Sequence, residues 1–275
     1  MGYSVRFWGV RGSIACASPD HVVYGGNTSC VEIDVAGQVL ILDAGTGIRF
    51  LGQSLMKRKV QSATLLMTHT HWDHINGFPF FVPAYVPTFS LKIMAGHLGE
   101  RMGGIKGVLT SQMQNPTFPV PIETMRGQLS FEDFPAGSSF SPYPEVVVKT
   151  TALKHPNEAT GYRIEHAGFS VCYITDTEHT PGSPDPNVLA LIEGADLVIY
   201  DCTYTDDEFP AKVGWGHSTW QEGVRLCDQA GVKRLVVFHH DPDHIDPVMA
   251  EIEAAVQAAR PGSIVARDGM EIVLA

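Results

Sequence analysis

The sequence predicts an α/β protein, and three of its features carry that expectation. Short apolar runs recur along the chain and read as buried strands. From residue 146 onward they alternate with stretches of helical period. Residues of metal-ligating type stand where several of these runs end, which is where a sheet presents side chains to a cleft. With 275 residues and 44% hydrophobic content, the chain can form one large domain or two small ones with buried cores.

Residues 5–9 read as a strand. Residues 31–35 and 39–42 read as a hairpin turned by Ala36-Gly37, apolar enough for a buried sheet. Between them, 11–30 is a loop rich in Gly, Ser, Pro and Asn; its Gly25-Gly26-Asn27-Thr28-Ser29 either lines a pocket with backbone N–H groups or is an ordinary turn. Asp43-Ala44-Gly45-Thr46-Gly47 ends a strand and opens a helix with Ile48, Leu51 and Leu55 on one face. Asp43 is expected behind the site as a buried carboxylate rather than a ligand.

The run at 63–67 reads as a strand that leads straight into Thr-His-Thr-His-Trp-Asp-His-Ile-Asn-Gly. Residues 78–85, aromatic and proline-rich, are expected to pack over the site as a wall, and 91–94 to form another strand. The least regular stretch, 96–145, is the candidate for an inserted lid. Further strands are expected at 146–153, 161–165, 169–175, 196–201, 234–239 and 264–274, and helices at 187–193, 219–230 and 247–259.

The chemistry concentrates at the end of the 63–67 strand, where His69, His71, Asp73 and His74 fall within six positions and turn toward one place. Three more ligand-type residues follow predicted strands: His155, Asp176 and His239. Seven such groups are enough for two metal ions with a position left open to water. Imidazole and carboxylate donors suit zinc, manganese or iron, with zinc favoured for a hydrolytic role. His240 rivals His239, but adjacent strand residues point to opposite faces, so only one of them is expected as a ligand. His240 and His244 are then left at the rim or behind the ligands.

A net charge of -11 and a pI near 5.5 argue against broad contact with a nucleic-acid backbone. No apolar run approaches the roughly 20 residues that span a bilayer, and the first residues lack a signal-peptide pattern, so a cytoplasmic location and no membrane partner are expected. Five cysteines, odd in number and never spaced as CxxC, suggest neither a disulfide framework nor a cysteine zinc site. The sequence leaves a homodimer open.

The ordered set His69-Thr-His71-Trp-Asp73-His74, His155, Asp176 in Ile-Thr-Asp-Thr, and His239 in Val-Val-Phe-His-His resembles the metallo-β-lactamase superfamily over essentially the whole chain. The resemblance implies a four-layer αβ/βα sandwich, two central mixed sheets flanked by helices. It also implies one domain over 1–275, in halves of roughly 1–140 and 141–275, with the site along one edge between them. It further implies that His69, His71 and His155 bind one metal, that Asp73, His74 and His239 bind the other, and that Asp176 bridges them. Its register favours His239 over His240.

Two further segments are similar to the ribonuclease Z branch. Residues 197–204 resemble its His-Glu-Ala-Thr motif with Tyr200 and Asp201 in place of His and Glu, and Gly216-His217-Ser218-Thr219 matches its His-Ser-Thr motif. That likeness implies that His217 sits at the phosphate and is oriented by Asp201. No segment resembles the glycine-rich, basic arm with which ribonuclease Z proteins hold tRNA. Phe7-Trp-Gly-Val-Arg-Gly-Ser13 and Gly25-Gly-Asn-Thr-Ser29 look like the cyclic-nucleotide phosphodiesterase-like hydrolases of the branch.

The expected activity is therefore a dinuclear metal-dependent hydrolase cleaving a small phosphodiester, with a cyclic nucleotide as the leading substrate. Two divalent ions, zinc first and manganese or iron after it, would lower the pKa of a bridging water from 15.7 toward ~7 for attack on phosphorus. Asp73, His217 and Asp201 are the expected catalytic residues, and Arg11, Asn27 and His217 the expected substrate-binding ones. A tRNA 3′-processing endonuclease is the alternative, supported by the same motifs and opposed by the charge and the absent arm, so tRNA is not the expected partner. A lactonase or β-lactamase would share the ligands but leave His217 and Asp201 without a task. The full ligand set counts against a non-catalytic metal-binding module.

Overall fold

Two seven-stranded sheets pack face to face in the computed structural model, which describes residues 2–275. The first sheet contains β1 (Tyr3–Gly9), β2 (Cys30–Val35), β3 (Gln38–Leu42), β4 (Ser62–Met67), β5 (Ser90–Ala95), β6 (Gln128–Asp133) and the late strand β14 (Glu271–Val273). The second contains β7 (Ser139–Tyr143), β8 (Val146–Leu153), β9 (Ala159–His166), β10 (Phe169–Ile174), β11 (Leu197–Asp201), β12 (Arg234–Phe238) and β13 (Ile264–Val265). The helices are α1 (Ile48–Lys57), α2 (Trp72–Ile75), α3 (Gly104–Gln112), α4 (Pro186–Ile192), α5 (Trp220–Gln229) and α6 (Asp246–Ala259).

The sequence pattern explains the layers. In β1, Tyr3, Val5 and Phe7 alternate with more exposed residues and enter the core between the sheets. In β4 nearly every residue is buried, because this parallel strand is covered on both faces: Leu66 joins the core between the sheets, while Leu65 and Met67 pack beneath α1 and α3. A third apolar cluster fills the space between the second sheet and α4, α5 and α6. The β2–β3 turn works because Ala36 and Gly37 both take positive φ, 54° and 85°, whose twist suits a two-residue hairpin. The expected α/β class and four-layer arrangement are what the structure has.

Three local expectations need correction. Residues 96–145 are not an irregular insertion: they supply β6 and β7, an edge strand of each sheet, and α3 buries Ile105 and Leu109 against the first sheet. The stretch 264–274 is not one strand. β13 extends the second sheet, and after a turn β14 pairs antiparallel with β1 in the first, so the C-terminus closes the N-terminal sheet. Residues 78–85 form short 3-10 turns whose Phe78, Phe81 and Ala84 sink into the core with α1; Pro79 and Phe80 are left facing a surface cleft.

β3 to β6 run parallel in one sheet and β10 to β13 in the other. The C-terminal ends of β4, β10, β11 and β12 converge on one edge of the sandwich, the usual place for a site in a parallel sheet.

Candidate metal centre

Each strand end delivers a ligand-type group to this edge. β4 is followed by His69 and His71, and α2, a single turn, carries Asp73 and His74. His155 follows β8, Asp176 follows β10, and His239 follows β12 with φ at 61°, a strained backbone for a non-glycine residue. The side chains fall into a group of His69, His71 and His155 and a group of Asp73, His74, Asp176 and His239. Asp176 lies between them. Its Oδ2 is 3.6 Å from His69 Nε2 and 3.7 Å from His155 Nε2, and its Oδ1 is 3.2 Å from His239 Nε2 and 3.4 Å from His74 Nε2.

These groups fit a pair of cations. The ring nitrogens of His71 and His155 face each other at 3.0 Å and those of His74 and His239 at 3.4 Å, close to the ~3.3 Å separating two nitrogens on one tetrahedral ion. His69 Nε2 is buried without a hydrogen-bond partner. Asp43, Asp73, Asp176 and Asp201 bring four buried carboxylates to one place, an arrangement that needs positive charge.

Most imidazoles are fixed from behind, which leaves the inner nitrogen free to ligate. His74 Nδ1 donates to Asp43 Oδ2 at 2.8 Å, His155 Nδ1 to the Gly216 carbonyl at 2.7 Å, and His239 Nδ1 to Thr203 Oγ1 at 2.9 Å. Asp43 is buried behind the ligands, as expected, and also accepts from Thr68 and from the Tyr173 hydroxyl. Burial, together with neighbouring imidazoles, holds His69 well below the ordinary imidazole value. Burial also lowers His71 and His155, despite the attraction of Asp176, which favours the neutral form that binds metal. In Asp73 and Asp176 burial opposes ionisation, but the surrounding histidines outweigh it and hold both carboxyls well below their usual range.

His217 and Asp201 complete the edge. His217 Nδ1 donates to Asp201 Oδ2 at 3.1 Å, and its ring stacks on His239 with centroids 4.8 Å apart. Burial works against the imidazolium, yet Asp201 outweighs it and His217 is pushed up to about 9. Asp201 Oδ1 accepts from Thr203, the residue that steadies His239, so one carboxylate organises both histidines. Asp176, Asp201, His217 and His239 also form a third grouping able to hold a cation.

Arg11 and Asn27 do not reach the cluster as substrate contacts. Arg11 is fully buried, and its guanidinium donates to the carbonyls of Gly25, Asp241 and His244; it ties three loops together. Asn27 is spent on Asp268 and Thr46. His240 turns away and donates from Nε2 to the Ala266 carbonyl, and His244 pairs with Glu208.

The Arg11-Gly12-Ser13 stretch matters through its backbone instead. Ser13 N–H donates to Asp73 Oδ2 at 2.8 Å, and a Cβ at Gly12 would lie 2.4 Å from His239 Cε1. The likeness noted for Phe7 to Ser13 marks this stretch but not these roles, because a backbone N–H has no signature and a glycine chosen for close approach looks like a loop glycine.

Comparison with known proteins agrees with this architecture. A family model described as "Beta-lactamase superfamily domain" matches residues 38–240. A protein named Ribonuclease Z from Lacticaseibacillus casei is 25% identical, covering 87% of each chain. The metallo-beta-lactamase fold protein YhfI from Bacillus subtilis superposes with a TM-score of 0.74 at 17% identity, covering 99% of each chain. A diphosphatase from the PhnP family superposes with a TM-score of 0.69 at 16% identity, covering 98% of this chain and 97% of its own. With this match across most of its length and two sheets that converge on histidines and carboxylates, the chain belongs to the beta-lactamase superfamily, as a metal-dependent hydrolase of the metallo-β-lactamase fold.

Proposed function

We propose that this protein is a dinuclear metal-dependent phosphodiesterase for small substrates, with a cyclic nucleotide the favoured one and zinc the favoured metal. The observation that carries the reading is His217, fixed by Asp201 immediately beside the ligand groups yet not needed to complete either of the first two. A lactonase or β-lactamase would share the ligand set but leave that pair without an obvious task.

Two divalent ions at these ligands would supply Lewis acidity at the phosphoryl oxygens and a nucleophile from water at neutral pH. His69, His71 and His155 would hold one, Asp73, His74 and His239 the other, and Asp176 would face both. Asp73, its Oδ2 anchored by Ser13 N–H, would hold the attacking water as well as a cation. His217, its Nδ1 committed to Asp201, has Nε2 left to bind the phosphate and give a proton to the leaving oxygen. The ties of the Gly216 carbonyl to His155 and of the Thr203 hydroxyl to His239 keep the imidazoles from swinging as charge develops.

A second reading, tRNA 3′ processing, is favoured by the relative named Ribonuclease Z, which aligns over 87% of this chain. That likeness lends no support to the exclusion of tRNA drawn from charge alone. Against it stand the net charge of -11 and the packing of α3 onto the first sheet, which leaves that glycine-containing segment no reach as an arm. The reduced state expected of the five unpaired cysteines and the absence, among the described residues, of any helix able to cross a membrane accord with a cytoplasmic enzyme.

The test is a substrate screen on zinc- and manganese-reconstituted protein, with cyclic nucleotides, linear dinucleotides, precursor tRNA and a lactone. The expected result is the highest kcat/KM on a small diester. Accurate 3′ trimming of precursor tRNA with a higher kcat/KM than every small diester would move the assignment to the second reading, and turnover of the lactone alone would remove both.

A further inference from the structure

A second cleft, of about 610 Å³, opens beside the candidate metal centre. Its apolar wall includes Trp72, Ile75, Phe80, Val108 and Phe118. It adjoins the space of about 320 Å³ over His69 and His71, since Thr70, Met102 and Val108 line both. Trp72 stands between His71 and Asp73 in the chain, so the ligands on either side fix its backbone, yet the side chain is 84% exposed. Phe80 is 53% and Met102 72% exposed. Phe80 meets Phe118 edge to face, with centroids 5.8 Å apart and planes at 90°. Large apolar groups gathered in the open beside a reactive centre mark a surface that something covers.

The lining decides what that something is. Among the described residues no charged side chain lines this cleft, so it offers no counter-ion for a second phosphate and does not suit the continuing backbone of a polynucleotide. Aromatic faces with a few neutral polar groups between them suit a flat, uncharged ring that carries hydrogen-bonding edges. Gln112 is one such group: its Nε2 is tied to the Ile75 carbonyl at 2.9 Å, and its Oε1 has no partner.

We propose that this cleft holds the base of a nucleotide diester, stacked on Trp72 and bordered by Phe80 and Phe118, while the phosphate lies at the metal centre. The inference rests on the phosphodiesterase reading above and names the part of the substrate that reading leaves open. Since every base has a π-face, stacking of this kind selects for a nucleotide over an alkyl ester and little among the bases.

The experiment compares two diesters with one leaving group, the p-nitrophenyl ester of thymidine 5′-monophosphate and methyl p-nitrophenyl phosphate. They are assayed with wild type, Trp72→Ala, Trp72→Phe and Phe118→Ala, alongside metal content. The preference for the nucleotide ester should fall roughly 5- to 150-fold in Trp72→Ala, the range that loss of a base–aromatic stack produces, and recover in Trp72→Phe. It should also fall in Phe118→Ala. An unchanged preference in both alanine variants overturns the assignment.

Binding is read separately, from quenching of tryptophan fluorescence by adenosine 5′-monophosphate. The difference between wild type and Trp72→Phe isolates Trp72 from Trp8, Trp215 and Trp220. If wild type hydrolyses neither ester but the nucleotide still quenches Trp72, the reaction class is wrong and the base cleft stands. If neither hydrolysis nor quenching occurs, both fall.

Discussion

Asp201 accepts a hydrogen bond from His217 Nδ1 at 3.1 Å with one carboxylate oxygen and one from Thr203 Oγ1 at 2.7 Å with the other. Since Thr203 in turn receives His239 Nδ1, this buried carboxylate sets the direction of an imidazole proposed to meet the substrate and of one proposed to meet a metal. The two histidines should nevertheless respond differently to mutation.

His217→Ala is expected to leave two metals in place and to slow turnover by about 10²- to 10⁴-fold on a diester with an alkyl or nucleoside leaving group. A nitrophenolate departs without a proton, so the loss on a nitrophenyl diester should be much smaller. Asp201→Asn should show the same pattern more mildly, because an amide oxygen can still accept from Nδ1. Steady-state kcat for both ester types, measured with metal content, checks this. Loss of a metal from His217→Ala, or equal slowing of both esters, would show that His217 is a ligand or a fixed phosphate-binding group.

Asp176 and Asp43 test the metal pair from two sides. Asp176 has one oxygen toward each group of histidines, so Asp176→Ala should lower occupancy of both sites together. Asp43 bonds His74 directly and reaches His69 only through Thr68 Oγ1, which lies 3.1 Å from His69 Nδ1, so Asp43→Ala should weaken the His74 site by about 10- to 100-fold and the His69 site less. Chelator competition read by elemental analysis distinguishes the two patterns. Retention of full occupancy in Asp176→Ala would remove it as a bridging group.

Much of this edge was legible in the sequence because strand ends and ligand types are local signals. His69, His71, Asp73 and His74 announce themselves by spacing, and the run before them is apolar on both faces. His155, Asp176 and His239 each follow such a run, and the structure brings all seven together. What the sequence could not carry is pairing at a distance. β14 lies beside β1 although 264–274 reads as one continuous strand, because a turn at Arg267–Gly269 redirects it. The 96–145 stretch looks loose because edge strands such as β6 are half exposed and lack a continuous apolar run. Arg11 is expected among the substrate-binding residues, but it is spent on the Gly25 carbonyl and on those of Asp241 and His244 in a loop some 230 positions later, a pairing with no sequence signal.

Gly216 is where backbone conformation and the candidate centre meet. Its φ is +87°, its carbonyl accepts from His155 Nδ1, and a Cβ there would lie 2.3 Å from that same nitrogen and 2.4 Å from Pro156 Cδ. Gly216→Ala should therefore destabilise the fold by about 1–3 kcal/mol through strain and also displace His155, weakening metal at His69, His71 and His155. Gly214 is the control, with φ at +91° and nothing within 4 Å of its Cβ position, so Gly214→Ala carries the strain without the collision. Chemical denaturation should report a loss in both variants, and metal affinity a loss in Gly216→Ala alone. Equal metal affinity in the two would mean that His155 is not held by this contact.

Asp268 gives a dependence on pH away from the proposed ligands. Burial pushes its carboxyl from the ordinary 3.8 up to about 6, although the hydrogen bonds from Asn27 and the charge of Arg11 pull the other way. In the unfolded chain it titrates near its ordinary value, so between 3.8 and about 6 the folded protein keeps a proton that the unfolded chain has released. The stabilisation from this group is complete below 3.8 and is lost as the pH rises through about 6, where the folded protein must carry a partly buried charge. Asp268→Asn is neutral at every pH and retains a carbonyl oxygen for Asn27. Its stability relative to wild type should then improve by about 1–3 kcal/mol on going from pH 4 to pH 7.5. Taking the difference at each pH removes the constant cost of the amide and the acid sensitivity of the metal ligands, which both proteins share. Urea denaturation of the two proteins across that range supplies the measurement. A stability difference that stays flat with pH would show that Asp268 titrates alike in the folded and unfolded chains, and that the hydrogen bonds from Asn27 and the nearby charge of Arg11 offset the whole cost of burying its charge.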